Sequence, residues 1–75
     1  MNQFELEKLW VSVPGIQGVA YHFGDEVRVK AGEHAGEVGR VVALTEVEPT
    51  PVYVVEFMLS GLNLVSQQSN LEPIA

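Results

Sequence analysis

The sequence predicts an all-β fold, a small barrel of about five short strands with a short N-terminal helix or extension. Three observations carry this. Val27 and Val29 alternate with Arg28 and Lys30, the period of two expected of a half-buried strand. Residues 52–59, Val-Tyr-Val-Val-Glu-Phe-Met-Leu, form a dense block of β-branched and aromatic side chains. Runs of this kind are separated at short intervals by Gly, Pro, Asn and Ser, the residues that turn a chain. With 75 residues the chain holds one core. Residues 1–21 are expected to form a helix or extension docking on a barrel made by residues 22–75.

Each element has a local reason. Asn2 can cap a helix over residues 2–11, with Glu5 three positions on as an approximate capping box. Leu6, Leu9 and Trp10 then make one apolar stripe, with Trp10 as its docked anchor. Pro14-Gly15 reads as a turn, and Ile16–Phe23 as an extended apolar connection in which His22 is packed or at an edge. Glu26–Ala31 is the first strand, followed by a loop over Gly32–Gly36 with Glu33 and His34 at its tip. In the second strand, Glu37–Leu44, Val38 and Val42 share a face with Arg40, and Val41 shares the other with Gly39 and Ala43. Gly39 marks a bulge or a close backbone approach.

Thr45–Pro51 is a polar, proline-stiffened loop. Along residues 52–59, Tyr53, Val55, Phe57 and Leu59 form one apolar face, and Val52, Val54 and Met58 the other. A solvated sheet face is ordinarily polar, so this strand is expected to be buried on both sides. A strand over Leu62–Ser66, a helical turn over Gln67–Asn70 and an edge strand over Leu71–Ile74 close the chain.

Composition bounds the function. There is no cysteine, so neither a disulfide nor a thiolate–metal site is available. His22 and His34 have no metal-ligand spacing to carboxylates, and no cofactor or metal is expected. No apolar run approaches the ~20 residues that span a bilayer, and no basic leader precedes an apolar stretch. The expectation is a cytoplasmic protein with no membrane contact. Hydrophobic residues nevertheless make up 47% of the chain, and mean hydropathy is +0.15. That excess calls for cover by a homo-oligomer (dimer or tetramer) or a protein partner, with Trp10, Val52, Val54 and Met58 as the interface. Ten acids against four bases give a net charge of −6, which argues against nucleic acid as a partner. Arg28, Lys30, His34 and Arg40 are the one basic spot.

No catalytic set emerges. Glu46 and Glu48 lie on a proline-bounded loop, and Asp25 and Glu26 point to opposite faces, so neither pair is arranged for acid–base work. Ser60, Ser66 and Ser69 lack the context of an activated nucleophile. The glycines of residues 32–39 lead into a strand rather than a helix, unlike a phosphate-binding loop. The chain reads more readily as a non-enzyme than as an enzyme.

Residues 24–42, with Gly24-Asp25, Val27, Gly32, Gly36 and Gly39-Arg40-Val41, resemble the KOW-type segments of ribosomal and transcription proteins. That resemblance implies an SH3-like small barrel and RNA or ribosome association. A second similarity rests on Gly24-Asp25, Val27-Arg28, Lys30, Gly32, Gly36, Tyr53, Val55-Glu56, Gly61 and Leu71-Glu72 with Ile74. These resemble the plasmid- and integron-borne type II dihydrofolate reductases, SH3-like barrels that assemble around a pore. The pore motif of that family would fall on Asn63, Leu64, Val65 and Ser66, and its glutamine and tyrosine are absent. Its pore lysine would fall on Val29. Residues 63–66 are therefore a candidate ligand or pore strand without the reductase chemistry. The leading expectation is a non-enzymatic interaction or assembly module. A KOW-like RNA- or ribosome-associated protein and a diverged reductase-like pore protein are the alternatives.

Overall fold

A computed structural model describes residues 2–12 and 15–74, so the turn expected at Pro14 lies outside the described residues. The elements are α1 (Gln3–Trp10), β1 (Glu26–Val29), β2 (Val38–Glu46), β3 (Val52–Phe57), β4 (Asn63–Gln67), a 3₁₀ turn (Gln68–Asn70) and β5 (Leu71–Pro73). The five strands form one sheet in the order β4-β3-β2-β1-β5, with every neighbouring pair antiparallel. This all-β architecture with one short helix fits a small SH3-like barrel.

The core takes one residue in two from the strands. Val27 and Val29 of β1, Val41 and Leu44 of β2, Tyr53, Val55 and Phe57 of β3, and Leu71 of β5 form a single buried cluster. α1 completes it. The Oδ1 of Asn2 accepts from Glu5 N at 2.9 Å and starts the helix. An eight-residue helix is marginal alone, and this one is held by burial of Leu6 and Trp10, four residues apart on one face. Trp10 is 2% exposed. It is spent on its own chain's core and leaves the set of interface residues. Leu9 does not join the predicted stripe, because it sits at the helix edge and is 44% exposed.

β2 departs most from expectation. Gly39 and Val41 face the core, Arg40 faces out, and the alternation then breaks, because the pairing with β3 shifts between Val41 and Ala43 and again between Leu44 and Glu46. The bulge therefore lies at Val42 and not at Gly39. It turns Ala43 outward and returns Leu44 to the core. Gly39 serves the other expected role, close approach. A Cβ there would lie 2.5 Å from Val55 Cγ1 and 2.8 Å from the Glu56 carbonyl oxygen.

The expectation that residues 52–59 are buried on both faces is corrected. β3 ends at Phe57, and Met58 and Leu59 belong to the turn that leads to β4, where both are exposed. Val52 and Val54 are half-buried. Val54 lies between Ala43 and Val65 in one outward row across the sheet, so its cover is that of neighbouring side chains and not of a second layer.

A polar network ties the connection before β1 to the barrel. The hydroxyl of Tyr53, itself fully buried, donates to Gln68 Oε1, which also accepts from Ala20 N at 2.8 Å. Gln68 Nε2 donates to the Gly18 carbonyl at 3.2 Å. Tyr53 Oη accepts from Tyr21 N at 3.3 Å, and Tyr21 Oη donates to the Leu71 carbonyl at 3.2 Å. Trp10 Nε1 donates to the Tyr21 carbonyl at 2.8 Å. Burial raises the pKa of the Tyr53 phenol above its ordinary 10.0. Burial also raises that of Tyr21, reinforced by the carboxylates of Glu72 and Asp25.

Gly39→Ala forces Val55 and the Glu56 backbone to move, and should lower stability to urea by about 1–3 kcal/mol; an unchanged midpoint would contradict the close approach. The tyrosines set an alkaline limit. The unfolded chain loses their protons first, so their contribution is complete below pH 10 and is lost as pH rises through the higher folded values. The urea midpoint should fall above pH 10, and Tyr53→Phe should flatten that fall.

Candidate functional site

The loop between β1 and β2 is built on glycine and on backbone hydrogen bonds. Gly32 and Gly36 both have φ near the left-handed region, at 98° and 89°, which other residues adopt at a cost. Gly36 N donates to the Val29 carbonyl at 2.8 Å, and Val29 N to the Glu37 carbonyl at 3.0 Å, which closes the loop base. Asn70 then clamps it from the 3₁₀ turn. Its Oδ1 accepts from Ala31 N and its Nδ2 donates to the Ala31 carbonyl, both at 3.1 Å. Lys30 N adds a bond to the Asn70 carbonyl at 2.9 Å.

The four basic residues of the spot, Arg28, Lys30, His34 and Arg40, sit in different environments. Arg28 sits opposite Glu72 of β5 and pairs with it at 3.7 Å across an exposed surface. Arg40 projects from the outer face of β2, in register with Glu26 on one side and Glu56 on the other. No carboxylate lies within ion-pair distance of it among the described residues. Lys30 is exposed just beyond β1, likewise with no ion pair among them. His34 is not free at the loop tip. It folds back so that Nδ1 lies 2.6 Å from Glu37 Oε2 and its ring packs on Phe57, with ring centres 5.0 Å apart. Of these four, Lys30 and Arg40 are thus the cations most available to a ligand.

The candidate strand 63–66 meets this loop. Leu64, Val65 and Ser66 line a groove of about 320 Å³ together with Val29, His34 and Asn70. Asn63 and Val65 face outward and are exposed, Leu64 is half-buried, and Ser66 is buried. Ser66 Oγ donates to the Gln67 carbonyl at 3.1 Å. Among the described residues no histidine or carboxylate contacts a serine hydroxyl, so the groove offers shape and hydrogen-bonding groups rather than an activated nucleophile. Its chief residue missed from sequence is Asn70, a polar side chain at the end of a helical turn whose partner lies 39 positions away.

The proposed interface set is scattered. Val52 and Val54 are in the outer sheet face, Met58 is in the following turn, and Trp10 is inside the core. His22, expected to be packed or at an edge, is exposed beside Asp25, with Nδ1 3.8 Å from its carboxylate. Among the described residues no three His, Cys, Asp or Glu side chains converge as a metal site, and no helix is long and apolar enough to cross a membrane.

The KOW motif matches residues 23–55, a span that runs from the approach to β1 through the loop and β2 into β3. The match covers less than half of the chain. A search of curated proteins returned no significant match. The KOW side of the resemblance is supported, whereas the similarity to type II dihydrofolate reductases receives no support. The match also corrects the expectation that nucleic acid is not a partner, because the KOW motif is a nucleic-acid- and ribosome-associated module. The physical reason is that net charge sums over the whole chain. Arg28, Lys30 and Arg40 are three of its four Lys and Arg residues, and the segment from position 28 to 40 contains only two acids, Glu33 and Glu37.

The Asn70 clamp gives a test of loop architecture. Asn70→Ala removes two side-chain hydrogen bonds and should destabilise the fold by about 1–3 kcal/mol. The Ala31 amide should lose protection from hydrogen exchange, while that of Val41, in the barrel core, keeps its rank among the slowest. Equal loss at both amides would mean that Asn70 supports the fold generally and not the loop.

Proposed function

We propose that the chain is a KOW-type RNA-associated module whose contacts are made by the Lys30–Glu37 loop and the outer face of β2 beside it. The observation that supports this reading is the KOW match over β1, the loop, β2 and β3. The geometry is compatible with it. The loop base is closed by backbone bonds and by Asn70, so its exposed backbone groups are held in one arrangement. Lys30 and Arg40 supply charge to phosphates, and the groove lined by Val29, Leu64 and Val65 offers apolar surface, with Glu33 also at its wall.

Charge sets the expected character of binding. Arg28 is committed to Glu72 and His34 to Glu37, so a complex neutralises two or three phosphates. For single strands, each phosphate neutralised contributes about −0.7 to the slope of log affinity against log salt, which gives a slope of about −1.5 to −2. A general RNA-coating protein has a much steeper slope. This module therefore depends on the shape of its RNA or on neighbouring contacts within a larger assembly.

The test is titration of labelled single-stranded and hairpin RNAs at several salt concentrations. Binding at low salt with a slope of about −1.5 to −2, weakened about tenfold in the double variant Lys30→Glu/Arg40→Glu, is the expected result. The absence of binding at low salt, or affinity unchanged in the double variant, would overturn the reading.

A further inference from the structure

At the other end of β2, α1 leaves an apolar cleft of about 560 Å³ between itself and the loop leading to β3. Leu6, Leu9, Ile16 and Val47 form its walls, and Glu46 and Glu48 stand at its rim. Leu9 is the helix residue that stays out of the core, at 44% exposure, and both glutamates are exposed. Among the described residues no lysine or arginine lines the cleft. β2 runs from the Lys30–Glu37 loop to Glu46, so the cleft and the loop lie at opposite ends of that strand.

This surface has the wrong charge for phosphate, and a second copy of a chain with net charge −6 would bring like charge to it. It is complementary to a cation that carries aliphatic carbon. We propose that the cleft docks a basic amphipathic segment of a protein partner. Leucine-like side chains seat among Leu6, Leu9, Ile16 and Val47, and lysine or arginine meets Glu46 and Glu48. The apolar walls supply affinity, and the two carboxylates supply selection and orientation. The acidity of the chain as a whole attracts the same partner at longer range. The inference goes beyond the RNA reading and uses the opposite end of the fold, so either can fail without the other.

The experiment titrates a synthetic amphipathic Leu/Lys peptide, and its Leu/Glu counterpart, into isotope-labelled protein at low salt. Saturable shifts at Leu6, Leu9 and Val47 with the Leu/Lys peptide, and none with the Leu/Glu peptide, are expected. Glu46→Gln/Glu48→Gln, confined to exposed positions, should weaken binding about fivefold. Leu9→Asp should weaken it further, with the unaltered chemical shifts of Tyr53 and Val55 reporting an intact core. Equal responses to the two peptides, or shifts outside the cleft, would overturn the proposal. So would concentration-dependent self-association that moves the same residues. RNA titrated onto the same sample should move the amides of residues 30–37 and not the cleft, which separates this result from that of the RNA test.

Discussion

The structure depends on one buried polar knot, the side-chain amide of Gln68 against the hydroxyl of Tyr53. Tyr53 lies at the centre of the core, and a buried hydroxyl without a partner costs about 1–3 kcal/mol. Gln68 meets that need with Oε1, which also accepts from Ala20 N, and its Nε2 donates to the Gly18 carbonyl, so one side chain fixes the backbone at both positions. The Tyr21 carbonyl, held in place by this segment, receives the indole of Trp10, so α1 is oriented as well as buried. Three stretches distant in sequence are thereby joined: the helix, the connection before β1 and the turn before β5. In a chain this small the apolar core alone is near the limit of stability, and directional bonds that choose one packing of the N-terminal segment matter accordingly.

The second constraint is the bulge at Val42. Strand side chains alternate, so a single extra residue exchanges the faces of everything beyond it. With it, β2 presents Arg40 outward before the bulge and Leu44 inward after it. Without it, the far half of β2 would expose Leu44 and bury Ala43 and Thr45, and the core under α1 would lose its floor. The same bulge sets the charge pattern of the outer face. One row reads Glu26, Arg40, Glu56, Asn63, and another reads Ala43, Val54, Val65. The cations on this face are therefore interleaved with carboxylates and do not form a stripe.

The parts of the fold legible in the sequence are those decided by near neighbours. The alternation of Val27 and Val29, the inward set Tyr53, Val55 and Phe57, the Asn2 cap and the glycines of the first loop all act within a few residues. What was not legible depends on pairing at a distance. Bulge placement in β2 depends on the register of β3, since Val41, Val42 and Ala43 are locally interchangeable as strand formers. Arg28 finds Glu72 only because β1 and β5 are neighbours, and Gln68 finds Tyr53 only through the closing turn. His34 looked like a free loop-tip residue, but Phe57 and Glu37 together give it a better place. The candidate site was legible as a loop, and not as a set of available charges.

Those commitments change what the acidic balance means. A basic stripe would let a module of this size hold RNA anywhere, at a cost in selectivity, because every phosphate is equivalent. Here, of the three Arg and Lys residues near the first loop, one is paired, and the carboxylates on the same face repel any backbone that approaches out of register. Electrostatics of this kind rejects more than it attracts. On the proposed RNA reading, recognition rests on a fixed loop meeting a fixed shape, and the double clamp of Asn70 on Ala31 and the glycine-dependent turns give the loop that fixed form. On that same reading the negative charge is part of the same design: it would suppress indiscriminate phosphate binding and leave the unpaired cations of this region to act only where geometry already brings them within reach.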